Sequence, residues 1–179
     1  MDFVLQNRAF SAVEYFSHYA AEALALGLVD VNGNKLVPDA KIHGIQVQAA
    51  IIGAEKGHPF FKECLDYYNA RHFSTGDDGI PAEDQISPII FAGIAEKYGF
   101  KYKDQEQDLA EGFKLYPSRL FTPQPWMMKP EAVAVHCCNA SWRTTLTPWG
   151  RFVTNLKTRI KSLLTQLGFR REKAIDKIR

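Results

Sequence analysis

The sequence is short of the features that mark specialised protein classes. Its three cysteines, two of them adjacent at Cys137 and Cys138, form neither a disulfide framework nor a zinc-ligand spacing, and they suggest a reducing compartment. No apolar run approaches the ~20 residues a membrane-spanning helix needs. The opening MDFVLQNRAF lacks a basic stretch leading into an apolar one, so no signal peptide is read there. A phosphate-cradling glycine loop, a GxSxG elbow, an HExxH pair and a CxxC pair are all missing, as are internal repeats and low-complexity blocks. What remains is 179 residues, 46% hydrophobic and 23% charged, with 12 Gly and 9 Pro. That is the size and composition of one ordinary globular domain, and it excludes disorder and collagen-like repeats.

The net charge of +2 conceals an asymmetry. From Arg151 to Arg179 nine Lys/Arg face two acids, a local net of +7, whereas residues 1–150 carry 13 basic and 18 acidic side chains. The two parts are therefore expected to meet different partners.

Along the chain, Asp2–Asn7 is expected to form a short helix, and Ala9–Tyr15 (AFSAVEY) a strand with Glu14 near its end. Residues 19–27 are Ala/Leu-rich and helical by propensity, with Gly27 as the C-terminal cap. Two apolar arms around Asn32-Gly33 predict a hairpin closed by a type I′ turn. Asp30, Asn32 and Asn34 mimic the first ligands of an EF-hand. The glycine comes two positions early and Lys41 stands where the closing Glu belongs, so calcium is not expected.

Residues 45–54 (IQVQAAIIGA) read as one largely buried strand with Gln46 and Gln48 at its polar start. A helix follows from Pro59 or Phe60 to about His72, with Phe60, Phe61, Cys64, Leu65 and Tyr68 as its apolar set. A Gly/Asp/Pro-rich loop leads to a second helix near Glu83–Tyr98, closed by Gly99, with Pro88 in a first turn or at a kink. FKLYP, RLFTP and AVAVH are short strand-like pieces. A final helix begins near Pro148, striped by Val153, Leu156, Ile160, Leu163, Leu164 and Leu167. This mixture of strands and helices predicts an α/β fold. It divides into a body, 1–147, and a basic amphipathic helix, 148–179.

The most informative polar constellation is AVAVHCCNASWR, residues 132–143. An apolar strand ends in His136, and Asn139, Ser141 and Trp142 follow. A neutral imidazole can ligate Mn²⁺ or another divalent cation, while the amide and hydroxyl reach phosphate oxygens and Trp offers a planar face. The plainer alternative is a capped strand end with Trp142 in the core.

Together with IIGAEKGHPFFKECLDYYNARHF (51–73), HCCNASWR (136–143) resembles glycosyltransferase family 32, the bacterial capsular and surface polysaccharide enzymes with an Asp-x-Asp sugar-binding region. The likeness covers roughly residues 1–150. It implies an incomplete GT-A domain, a Rossmann-like α/β sandwich that binds a nucleotide-sugar and transfers its sugar with retention, aided by Mn²⁺ or another divalent cation. By the same resemblance, His136 is the metal ligand, and Asn139, Ser141 and Trp142 contact the diphosphate. Gln46 and Gln48 lie near the donor sugar, Asp84 is the carboxylate at the anomeric carbon, and Gln85 contacts the donor. The acceptor is a saccharide or lipid-linked saccharide, and the place is cytoplasmic, peripheral at the inner face of the bacterial membrane.

Several of these residues have plainer roles open to them. Asp84 suits the N-terminal turn of a helix through its charge, Gln85 a solvated helix surface, and Gln46 and Gln48 the backbone groups of a loop. His58 in KGHP reads as structural, at the start of a helix. Glu14 reads as a surface strand carboxylate, with a position in the donor cleft as the alternative.

The sequence departs from the family at one point: it contains no Asp-x-Asp. That motif belongs on a strand ahead of Met1, so the chain is expected to be a C-terminal portion with impaired activity. Its non-catalytic alternative is a remnant or accessory domain that binds a partner or anionic membrane through the basic helix. For that helix, packing of its stripe on the domain is the competing expectation. Nucleic acid is not expected, because Phe152 and Phe169 supply little aromatic interleaving.

Overall fold

The computed structural model describes residues 3–69, 71, 86–136, 150, 153, 156, 157, 159, 160, 163 and 164. Two compact units divide at Ser118/Arg119. The expected boundary at 147/148 lies outside the described residues.

The first unit is built on β1, Ala9–Tyr15, as the AFSAVEY pattern predicts. A 3₁₀ turn, Val4–Gln6, precedes it, and α1, Ser17–Ala25, follows. Gly27 takes the left-handed conformation just past α1, at φ 66°. The expected hairpin is reduced to a single bridge between Val29 and Lys35. Its turn is not type I′, because only Gly33 (φ 77°) is left-handed while Asn32 is not. The Asp30 carboxylate instead caps the turn, accepting from the backbone N–H groups of Asn32 and Asn34.

The single strand expected over 45–54 is two strands, β2 (Ile45–Val47) and β3 (Gly53–Ala54). Both pair antiparallel with the same edge of β1, β2 at Val13–Tyr15 and β3 at Ala9–Phe10. In β3, Gly53 lies against the Phe10 ring, where an added Cβ would come within 2.3 Å of it. α2 spans Pro59–Asn69 and α3 Ser87–Ala95, with Pro88 in the first turn of α3 and a 3₁₀ turn running on to Gly99 (φ 95°). The sheet continues through β4, Gln107–Leu109, and β5, Phe113–Tyr116, in the order β2-β1-β5-β4. β1 and β5 are parallel and β4 and β5 antiparallel, so the fold is mixed α/β with a mixed sheet.

Strand alternation gives this sheet two unlike faces. One carries Ala9, Ser11 and Val13 of β1 beside Val47, Phe113 and Leu115, all fully buried. α2 and α3 supply its cover: Phe60 lies 4.4 Å from Phe113, ring centre to ring centre, and edge-on to Phe91 and Tyr98. Of the apolar set expected on α2, Leu65 and Tyr68 are 63% and 41% exposed, so the buried stripe narrows to Phe60 and Cys64, with Phe61 packed against them. The other face carries Phe10, Ala12 and Glu14 beside Gln46, Lys114 and Tyr116.

In the second unit, β6 (Phe121–Thr122) pairs in parallel with β7 (Ala134–Val135), and a 3₁₀ turn, Pro125–Met127, lies between them. The described positions from 150 to 164 are helical. Among the described residues, no helix is long and apolar enough to cross a membrane.

Candidate functional site

The polar face of the main sheet holds the most distinctive chemistry. Glu14 stands opposite Gln46 across the antiparallel pair of β1 and β2. Opposed side chains in such a pair have Cβ atoms roughly 5 Å apart. Gln48 extends the row by one more place, its backbone N–H donating to the Ala12 carbonyl at 2.8 Å. Alternation therefore puts Glu14, Gln46 and Gln48 on one face, near the carboxyl ends of the parallel strands β1 and β5. Open α/β sheets bind their ligands at such strand ends.

Gln46 and Gln48 are buried, at 4% and 0% exposure. Both side-chain atoms of the Gln48 amide are buried without a hydrogen-bond partner. Burying such an amide unpaired costs roughly 1–3 kcal/mol. Among the described residues no cation pairs with the Glu14 carboxyl, and burial pushes it up from 4.5 to about 7. The contrast with the next strand is sharp. Lys114 is held by Glu106 and Asp108, which raise its affinity for a proton, and the Tyr116 hydroxyl is bonded to Asn7 and to the Phe3 carbonyl. The unpaired Gln48 amide, beside a carboxyl with no cation among the described residues, is suited to a ligand rich in hydroxyls, which both donates and accepts.

Of the residues expected in a donor site, the structure brings Gln46 and Gln48 together and adds Glu14. The sequence assigned Glu14 to the surface, because a lone carboxylate near a strand end is usually solvated. The signal that finds it is the alternation of AFSAVEY, which groups Glu14 with Ala12 away from Val13. His136 belongs to the second unit, directly after β7, with its backbone N–H on the Thr122 carbonyl at 2.9 Å. Asp84, Gln85, Asn139, Ser141 and Trp142 lie outside the described residues. Among the described residues, no three His, Cys, Asp or Glu side chains converge as a metal site would require.

His58 is 1% exposed, and its Nε2 lies 3.1 Å from the Glu111 carbonyl oxygen. Its own carbonyl accepts from Lys62 in the first turn of α2. The ring thus ties the start of α2 to Glu111, whose φ of 60° makes it left-handed without being glycine. This is the structural role that its place before Pro59 suggests. A cavity of about 460 Å³ opens at the end of β1, lined by Tyr15, Leu24, Val29, Ile45, Tyr102 and Lys103 among others. Neither Gln46 nor Gln48 is among its described lining residues.

No family model, curated protein or solved structure matches the chain.

Proposed function

We propose that the chain serves glycosyl transfer from a nucleotide-sugar to a saccharide or lipid-linked saccharide acceptor, on a GT-A-like scaffold. The observation that carries this reading is the buried Gln48 amide, unpaired at both atoms, in line with Gln46 and the Glu14 carboxyl. The residues 51–73 and 136–143, which resemble glycosyltransferase family 32, support it from the sequence. Gln46 and Gln48 are, with Gln85, the positions that the resemblance assigns to the donor sugar.

In this scheme, Gln48 donates through its NH₂ and accepts through its oxygen, fixing hydroxyl groups of the sugar ring. Gln46 supports the same ring from the next outward position. Glu14 accepts from a sugar hydroxyl, and the bond strengthens as it loses its proton. The reaction breaks the bond between the anomeric carbon and the diphosphate oxygen, the acceptor hydroxyl oxygen forms its bond on the same face, and its proton passes to the departing diphosphate. The resemblance assigns Asp84 to that carbon, Gln85 to the donor, and Asn139, Ser141 and Trp142 to the diphosphate; all five lie outside the described residues. A divalent cation such as Mn²⁺ would neutralise charge on the departing diphosphate. His136 is its assigned ligand, but the described residues supply no partners for a complete site, so no step is routed through it.

The test is calorimetric titration with a panel of uridine and guanosine diphosphate sugars. It uses both the 179-residue chain and the chain extended by in-frame upstream codons. Binding of at least one donor, weakened at least about tenfold by Gln48→Ala, supports the reading. Failure of every donor to bind either form would leave the non-catalytic alternative in its place.

A further inference from the structure

Among the described residues, the helical positions between 150 and 164 expose an apolar stripe, with Val153 on the same face partly buried. Leu156, Ile160, Leu163 and Leu164 follow the spacing of one helix face and are 46%, 47%, 56% and 39% exposed. A helix packed along this face would bury these side chains. Lys157 and Arg159 are exposed as well, and helical spacing sets them on opposite flanks of the stripe. The surrounding sequence has one sign of charge: no Asp or Glu occurs from 132 to 171, while Arg143, Arg151, Lys157, Arg159, Lys161, Arg170 and Arg171 all fall within it.

We propose that this segment docks on an anionic lipid bilayer, lying in the plane of the interface. Leu156, Ile160, Leu163 and Leu164 enter the boundary between headgroups and acyl chains, and Lys157 and Arg159 pair with anionic headgroups. Three features favour a bilayer over other occupants. The stripe is narrow and flanked on both sides by cations whose long stems reach outward to headgroups while the leucines sink. The excess of positive charge meets a negative lipid surface, whereas a second copy of the same segment would be repelled by it. The stretch is too charged to span a bilayer, with Arg151, Lys157, Arg159 and Lys161 within fifteen residues of sequence. This inference is independent of the glycosyl-transfer reading, since it uses none of the residues assigned to the donor, the diphosphate or the metal.

The experiment is flotation of the full chain with vesicles of phosphatidylcholine alone and of phosphatidylcholine with about one third phosphatidylglycerol. Binding to the anionic vesicles at least about tenfold stronger than to the neutral ones, and weakened by high salt, is expected. Lys157→Gln with Arg159→Gln should remove most of that preference. Leu156→Ser with Ile160→Ser should weaken binding to both vesicle types. Circular dichroism and melting of these variants should match the parent, because the substituted side chains are exposed. Equal or negligible binding to both vesicles overturns the proposal. So does a self-association that the serine variant abolishes while flotation stays unchanged.

Discussion

Glu14 and Gln46 face one another across β1 and β2, and burial raises the carboxyl of the pair to about 7, with no cation paired to it among the described residues. The unfolded chain releases that proton near pH 4.5, and the folded protein near 7. Between these values the folded state binds more protons, so stability falls as pH rises through the window and the full penalty is present above it. Glu14→Gln removes the penalty. Urea unfolding should show the variant about 1–3 kcal/mol more stable than the parent at pH 8 and nearly equal to it at pH 4.5. Equal stability at both pH values would mean that Glu14 is solvated.

His58 offers the opposite case, a buried polar group whose value is structural. Its ring connects the start of α2 to the Glu111 carbonyl and fills space beside Phe61 and Phe113. His58→Ala should cost about 2–4 kcal/mol through the lost bond and the cavity left behind. His58→Gln should recover part of it, and neither should alter donor binding measured on the folded protein. A His58 variant that keeps its melting temperature and loses ligand would reassign this residue to the site.

These contrasts show how much the sequence makes legible. β1 is readable because AFSAVEY is a short, mostly apolar stretch of β character, and α2 and α3 because Pro59 and Pro88 mark first turns, although α3 begins at Ser87 rather than near Glu83. Gln46 and Gln48 stand out as polar groups in an apolar run. β4 escaped notice because Gln107, Asp108 and Leu109 have little strand propensity; pairing with β5 makes the strand, and Gln107 is bonded to the backbone of Lys101 and Lys103. The split of 45–54 into two strands is set by where each half pairs with β1, a partner more than thirty residues away in sequence. Glu14 was missed for a related reason: which face of a strand is buried is decided by the partner strand, not by the strand itself.

Gly44, immediately before β2, controls how that partner strand is set. Its carbonyl accepts from the Phe16 N–H at 2.8 Å, its φ is 81°, and an added Cβ would lie 2.5 Å from the Ala20 nitrogen. Gly27 shares the positive φ but has open space around it. Gly27→Ala should therefore cost about 1–2 kcal/mol, from conformation alone. Gly44→Ala should cost more than about 3 kcal/mol, since backbone must move as well. Equal losses in the melting experiment would mean that β2 shifts freely, and that the register placing Gln46 opposite Glu14 is not fixed.

The sharpest prediction concerns Gln48, where stability and binding should move in opposite directions. Its amide is fully buried and unpaired, so replacing it with an apolar side chain of similar size removes a desolvation cost and opens no cavity. Gln48→Leu should stabilise the ligand-free protein by about 1–2 kcal/mol, seen as a higher urea midpoint with an unchanged slope. The same change removes the donors and acceptor assigned to the sugar ring, and donor affinity should fall at least about tenfold. A core residue retained for packing would lose stability on this substitution. A residue retained for a ligand gains stability and loses the ligand, so the pair of measurements separates the two roles at a single position.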